Sequence, residues 1–524
     1  MVEINHRLPA GGRWLALLGV ALALLFSAAA FSILRSDDAK IANKVTSAEP
    51  TERIRLGDGE TFDLELKKVV KNIEGTEIEM LSYGGSIPGP TFDVEEGATI
   101  TLNIQNKLDI ASTIHPHGIN NDVENDGVPE ISQSEILPGD SYQQTIRFTD
   151  PGVYWYHPHV REDYAQASGM YANFVVRPSD DSEWKTYDSE QVVMLSDLQI
   201  NESGALDYNK EKVTHVVMGR FGDMQLVNGD KNPTLSARAN EVMRLYFTNA
   251  ASARSFKLTI PDAYIKLVGG DNGLFEKEEI VDHVTVAPSE RYFVDVLFES
   301  AGTFPVFNDN DEATTQIATI EVAPNGALSE NARNFETLNS RESVSKEIKE
   351  LLLGEKVSGI RKRLATRVDM HPLFMQSMAE EMARAEADDD GKEHGIEWED
   401  EMPDANSRSD IENTEWSLVD LDKPREESFE WSFAQGDVVR IVIENSENTM
   451  HPMQHPIHLH GQKFFVDKIN GEPTSNKVFK DVVQIPRGDT YEIVVKMENK
   501  GTWLLHCHIS EHMESGMVGK VIVK

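Results

Sequence analysis

Apolar and polar positions alternate along most of this chain in short runs separated by glycine, proline and acidic turn residues, and the order of the runs recurs three times. Residues 91–178 contain "TFDVEEGATITLNIQN", "PGDSYQQTIRF", "PGVYWYHPH" and "SGMYANFVVRP". The C-terminal end repeats that order as "SFEWSFAQGDVVRIVIEN", "RGDTYEIVVKM", "KGTWLLHCH" and "SGMVGKVIVK". A fainter middle copy reads "NPTLSARANEVMRLYFTN", "PSERYFVDVLF" and "AGTFPVFND". Period-two alternation in short runs buries one face of each run, and even spacing with Gly and Pro turns predicts antiparallel β-sandwiches. The expected fold class is all-β, with three consecutive sandwich domains at residues 53–178, 185–323 and 411–524.

Two stretches depart from this pattern. Residues 324–410 read as an insert rather than a fourth sandwich: "SVSKEIKELLLGEKVSGIRKRLATRV" has helical spacing, with Ile348, Leu351, Leu352 and Ile360 on one face. Met370, His371, Met375, Met378 and Met382 follow, and their spacing fits helix packing and metal capture equally. Residues 386–404 are strongly acidic, and the pattern predicts a solvated, mobile connection. At the other end, residues 1–35 read as a signal anchor or signal peptide, joined to the body by a linker at 36–52. His6, Arg7 and Arg13 precede an uncharged apolar run of 21 residues at 14–34, which Arg35, Asp37 and Asp38 close. A span of about 20 residues crosses a bilayer, whereas a signal-peptide core has about 7–15. The expectation is an uncleaved anchor with the body exported, periplasmic or otherwise extracytoplasmic; cleavage near residues 27–30 is the alternative.

Composition narrows the function. With 50 basic against 88 acidic residues the net charge is -38, which repels nucleic acid and anionic lipid and attracts cations. There is a single cysteine, Cys507, so no disulfide forms within the chain, and its neighbours decide whether it is inert or a chemical actor.

Those neighbours are histidines. Four clusters fall in equivalent places of the outer copies: His115-Pro-His117 and His157-Pro-His159 in the first, His455-Pro-Ile-His458-Leu-His460 and His506-Cys507-His508 in the third. Aligned on Gly152, Gly302 and Gly501, the middle copy has Phe-Asn-Asp where the others have His-Pro-His and His-Cys-His. Alternate side chains on a strand face opposite ways, so His506 and His508 point to one site and Cys507 to another. His512 and Met517 follow Cys507 by five and ten residues. With His455 they make two imidazoles, a thiolate and a long axial thioether, the blue-copper arrangement for one-electron transfer. The eight remaining histidines of the clusters carry no charged ligand among them and suit three coppers with open positions. The other histidines, His6, His215, His283, His371, His394 and His451, read as ordinary; His451, four before His455, is the one that could line a substrate edge.

From about residue 55 to 524 these motifs resemble those of the multicopper oxidases, the laccase, ferroxidase and cuprous oxidase family, in its three-domain bacterial form. The resemblance implies cupredoxin-like domains and four coppers per chain. It implies a type 2 copper on His115 and His458, and a type 3 pair on His117, His157 and His508 and on His159, His460 and His506. Type 1 would take Cys507, His455, His512 and Met517. It further implies a trinuclear cluster between domains one and three, and a proton-relay role for Asp126, nine residues after His117. Many bacterial members have an acid directly after the last type 1 histidine; this chain has Met513, which leaves the second proton route open.

The function expected is an oxidase that takes four single electrons at the type 1 site and reduces O2 to water. The expected donor is Cu(I) or another metal ion, in copper homeostasis. A laccase-like oxidase of phenols and aromatic amines is the alternative, and a non-catalytic copper-binding protein is the reading from another class. Nitrite reduction is disfavoured, because that related family lacks the full trinuclear set.

Overall fold

The structure is a computed structural model that describes residues 45–201, 204–388, 395–424 and 428–524. Chain contacts divide the molecule into Met1–Thr46 and Ser47–Lys524, and the fold below is that of the second unit. The apolar run 14–34, His6 and His394 lie outside the described residues. No helix among the described residues is long and apolar enough to cross a membrane.

The threefold repetition of the sequence is a threefold repetition of topology. Among the described residues the strands form six sheets, two for each copy. In the last copy one sheet runs in the order Glu430–Phe433, Val518–Val523, Gly501–Cys507, His455–Leu459, Val482–Ile485. The middle copy has the same order in Thr234–Arg238, Thr314–Ala323, Gly302–Asp309, Phe256–Thr259, Val284–Val286. In the first copy Thr91–Glu95, Ala172–Arg177, Gly152–His157 and His115–His117 follow it. In each, the outer pair is parallel and the ligand-bearing or ligand-equivalent strand lies antiparallel to the next. Apolar alternation produces three separate cores, around Ile100 and Phe174, around Phe247 and Val294, and around Ile441 and Trp503. Where the outer copies carry histidine, the middle strand ends in Phe307, Asn308 and Asp309. The Asn308 amide is spent on Gln225 and on the backbone N–H of Lys257.

Register places the histidines. His115 pairs with His157, and His458 with His506, so each histidine motif lies beside its partner across two adjacent strands. A one-residue slip would send every one of these rings to the opposite face.

The supposed insert is corrected. Only Glu342–Ser358 is helical in the segment read as one helix, and Ile348, Leu351 and Leu352 pack it on Val438, Phe465, Phe479 and Val494. Ile360 belongs instead to the strand Ile360–Met370, which pairs antiparallel with Thr414–Asp420 and parallel with Val438–Glu444. The third copy therefore reaches back to Ile360 rather than beginning at 411. Its alternation, with Leu364, Thr366, Val368 and Met370 buried, had been overlaid by a coincidence of helical spacing at Ile360.

The acidic connection is corrected as well, in the part that is described. Trp398 and Met402 are buried, the Arg254 guanidinium pairs with Glu399, and the Glu397 N–H donates to Gln454 at 2.8 Å. Residues 395–409 are a packed strap across copies two and three. Of the methionines, Met370 and Met378 enter the core with Phe374, and Met375 lies at its edge.

Candidate metal centre

Every imidazole of the four clusters is buried, and Cys507 is fully buried. They form four closely spaced groups, each with its donor atoms within 4.8 Å of one another: His115, His117 and His458; His117, His157 and His508; His159, His460 and His506; His455, Cys507 and His512. The first three groups join copies one and three. His117 stacks on His458 with ring centroids 3.8 Å apart, and His115 on His460 at 4.3 Å.

Seven of the eight cluster rings are oriented through Nδ1, whereas His508 has neither ring nitrogen hydrogen-bonded. The Nδ1–H groups of His115, His157, His458 and His506 donate to the carbonyls of Asp126, Pro158, Asp481 and Cys507 at 2.6, 2.9, 2.7 and 2.8 Å. His117 and His460 direct Nδ1 at the carboxylates of Asp481 and Asp126 at 2.8 and 2.9 Å, and His159 directs its own at Glu162 at 3.3 Å. Such contacts fix the tautomer and aim Nε2 inward. The Nε2 atoms of His115, His117, His157, His159, His458 and His508 are buried without any hydrogen-bond partner, and those of His460 and His506 face each other at 2.9 Å. A buried polar atom without a partner is costly. Six converging on one space are therefore the mark of a metal site, and neutral imidazoles suit copper.

Electrostatics agrees. Burial first, then crowding by neighbouring imidazoles, pushes His117, His157, His159, His458 and His460 well below the ordinary histidine value. Burial brings His506 down to about 4 and His455 to about 3. At neutral pH these rings are unprotonated and able to ligate.

On the other side of the tripeptide, Cys507 Sγ lies 3.6 Å from His455 Nδ1 and 3.7 Å from His512 Nδ1. The backbone N–H of Ile509 points at the sulfur at 3.4 Å, and Met517 is fully buried in the same core. Trp416 stacks on His512 at 4.3 Å and meets His455 edge-on at 4.7 Å. Its indole N–H donates to the Val216 carbonyl at 2.7 Å, which ties this pocket to copy two.

Asp126 is 3% exposed and lies between His115 and His460. Several site residues escaped the sequence reading: Asp481, Glu162 and Trp416, and Trp155, stacked on His157 at 4.3 Å. Glu162 carried a signal, an acid three residues after His159; Asp481 carried none. Near the position of Met513 the structure supplies Glu511 and Glu514, both pushed up to about 7, first by burial and then by neighbouring carboxylates.

The sequence profile of a family described as "Multicopper oxidase" matches residues 66–181, and a second profile of the same description matches residues 401–524. The chain is 27% identical to "Multicopper oxidase mco" of Staphylococcus epidermidis, over 84% of this chain and 83% of that protein. It is 25% identical to "Copper resistance protein A" of Escherichia coli, over 89% of this chain and 93% of that protein. Among solved structures, "Multicopper oxidase from Campylobacter jejuni: a metallo-oxidase" superposes with a TM-score of 0.67 at 23% identity, covering 92% of this chain and 98% of that one.

Proposed function

The chain belongs to the multicopper oxidases, copper-dependent oxidoreductases that use O2 as acceptor, and from that premise we propose that its electron donor is a soft metal ion, Cu(I) before others. Copper bound at these sites supplies one-electron storage, so that four centres match the four electrons that O2 takes up on becoming water. In this reading His115 and His458 hold type 2. His117, His157 and His508 with His159, His460 and His506 hold the type 3 pair, and Cys507, His455, His512 and Met517 hold type 1. The peptide His506–Cys507–His508 is the covalent link between the two pockets. Asp126, between a type 2 and a type 3 ligand, is the acid placed to relay protons to the cluster.

The choice of donor rests on a thioether and an imidazole brought together next to the type 1 pocket. His451 Nε2 lies 2.8 Å from the Met218 sulfur, with both residues buried, and the His451 ring is 6.4 Å from Trp416. Burial lowers His451 to about 4, so the ring is neutral at pH 7 and able to ligate. The thioether selects Cu(I), and imidazole suits copper among other metals. Around them, residues 213–219 are bonded to Asn406 and Ser409 of the strap, and His455 and His512 lie beneath at 1% and 0% exposure. A roofed type 1 pocket favours a small ion over a bulky phenol. The copper resistance protein among the relatives supports the same reading, and a role in copper homeostasis follows from it. The apolar run at 14–34 supports placing the reaction outside the cytoplasm.

Oxygen uptake by copper-loaded protein with Cu(I) and with dimethoxyphenol in parallel tests the proposal. Cu(I) is expected to be the better donor, and His451→Phe and Met218→Leu are expected to lower its kcat/KM about tenfold, for lost metal-ligand contacts, and more than they lower that of the phenol. A phenol preference in the wild type, or equal losses on both donors, rejects it.

A further inference from the structure

The middle copy supplies none of the ligands assigned to the four coppers, yet the first residue of its strand Arg291–Leu297 extends to the cluster. Arg291 is fully buried. Its Nη1 and Nη2 donate to the two carboxylate oxygens of Asp481 at 2.9 and 2.5 Å. Its Nε donates to the Val153 carbonyl of copy one at 3.0 Å, and its backbone N–H to Asp271 at 2.7 Å. Asp481 belongs to copy three. Its Oδ2 lies 2.8 Å from His117 Nδ1, which Arg291 Nη1 itself approaches at 3.5 Å, and its backbone carbonyl accepts from His458 Nδ1 at 2.7 Å. A guanidinium of copy two, a carboxylate of copy three and an imidazole of copy one thus form one buried chain.

Space has been kept for this chain. Gly118 directly follows His117, and a Cβ there would lie 2.5 Å from Asp481 Oδ1 and 2.6 Å from Arg291 Nη2. Among the described residues, the neighbouring Lys480 is already engaged by Asp271 at 3.2 Å and Glu290 at 3.3 Å. Without Arg291, three buried carboxylates, Asp271, Glu290 and Asp481, would share one lysine.

We propose that Arg291 is a positioning residue of the trinuclear site: by clamping both oxygens of Asp481 it fixes the orientation of His117 and His458, so that the middle domain, which gives the cluster no ligand, sets its geometry. A buried ion pair of this kind contributes specificity of geometry more than net stability. The bidentate fork matters, because a lysine at 291 offers a point charge and no second parallel bond. The inference rests on the proposed cluster ligands and is independent of the donor.

The test uses the full chain loaded with copper, as wild type, Arg291→Met, Arg291→Lys, Asp481→Asn and, as a control, Arg244→Met. Arg244 makes an equally buried pair with Asp295, at 2.7 Å, in the middle copy, away from the histidines. Copper per chain, the type 2 electron paramagnetic resonance signal, the blue absorption of the Cys507 site and Tm are read together. In Arg291→Met and Asp481→Asn the blue absorption is expected to persist while the type 2 copper is retained about 10–100-fold more weakly, the usual size of an outer-shell effect. Arg291→Lys is expected to restore part of the signal with altered parameters. Arg244→Met is expected to lower Tm with the type 2 signal unchanged. Equal type 2 loss in Arg244→Met and Arg291→Met, or an unaltered type 2 signal in Arg291→Met, overturns the proposal. Should Arg291→Met fail to fold, an unaltered type 2 signal in Arg291→Lys overturns it. A wild type that takes up no type 2 copper would instead reject the cluster reading beneath it.

Discussion

Asp126 Oδ2 lies 2.9 Å from His460 Nδ1, although 334 positions separate the two residues, and the carbonyl of the same aspartate accepts from His115 at 2.6 Å. One residue of the first domain therefore holds a ring of its own domain and a ring of the third. Its carboxylate is among the acids nearest the converging imidazoles.

Asp126→Asn preserves both acceptors, since the amide oxygen can take the His460 bond and the backbone carbonyl is untouched. What it removes is a proton carrier. Turnover with O2 is expected to fall about 100-fold, within the range of a lost acid–base group, with copper content unchanged. Copper analysis and oxygen uptake on the same preparation check this, and unchanged turnover would remove Asp126 from proton transfer.

Gly127 has φ +76°, and a Cβ there would lie 1.9 Å from the Ile114 carbonyl oxygen. A backbone atom cannot yield as a side chain would, so Gly127→Ala must displace the turn that carries Asp126. Strain of this kind costs about 1–3 kcal/mol. A lower Tm together with weaker copper retention at the cluster is expected; a lower Tm with four tightly held coppers would show that the turn moves without the ligands.

Glu511 is fully buried, and burial raises its carboxyl from 4.5 to about 7. Between those values the native state keeps a proton that the unfolded chain has released, so stability falls as pH rises through this window. The full effect is about 3 kcal/mol. Thermal unfolding of copper-free Glu511→Gln is expected to show a shallower decline than wild type from about pH 4.5 to 7 and a higher Tm at pH 7. Glu514, raised to about 7 beside it, contributes the remaining slope. A slope identical to that of wild type would contradict this account.

Burial pushes the Cys507 thiol far above its ordinary value, so it is protonated in metal-free protein. Since a thiol must ionise to ligate, filling the blue site should release one proton more in wild type than in Cys507→Ser, and blue absorption should develop faster at higher pH. Copper titration in weak buffer with a pH indicator measures the difference. Equal release by the two proteins would mean that Cys507 is not a ligand.

Much of this site was legible because its chemistry is written locally. Two histidines two residues apart on a strand share a face whatever surrounds them, and Cys507 between His506 and His508 must face the other way. Repetition of the motifs in outer copies, and their loss at Phe307, Asn308 and Asp309, needed no coordinates. The strand Ile360–Met370 is not legible locally because Ile360 also fits the spacing of the preceding helix, and only pairing with Val438–Glu444 separates the two. The acidic stretch was read as mobile because charge predicts solvation; burial of Trp398 and Met402 outweighs it.

The sequence by itself determined the metal, the kinds of ligand, the two-pocket division of the tripeptide and the three-sandwich plan, since each depends on residue type and on spacing within one strand. Tertiary structure alone decided that His115 meets His460, that Asp481 and Arg291 join three domains behind His117, and that Met218 and His451 come together beside Trp416. Those contacts join residues tens to hundreds of positions apart. No local period encodes them, because they arise only when separately folded sheets bury their faces against one another.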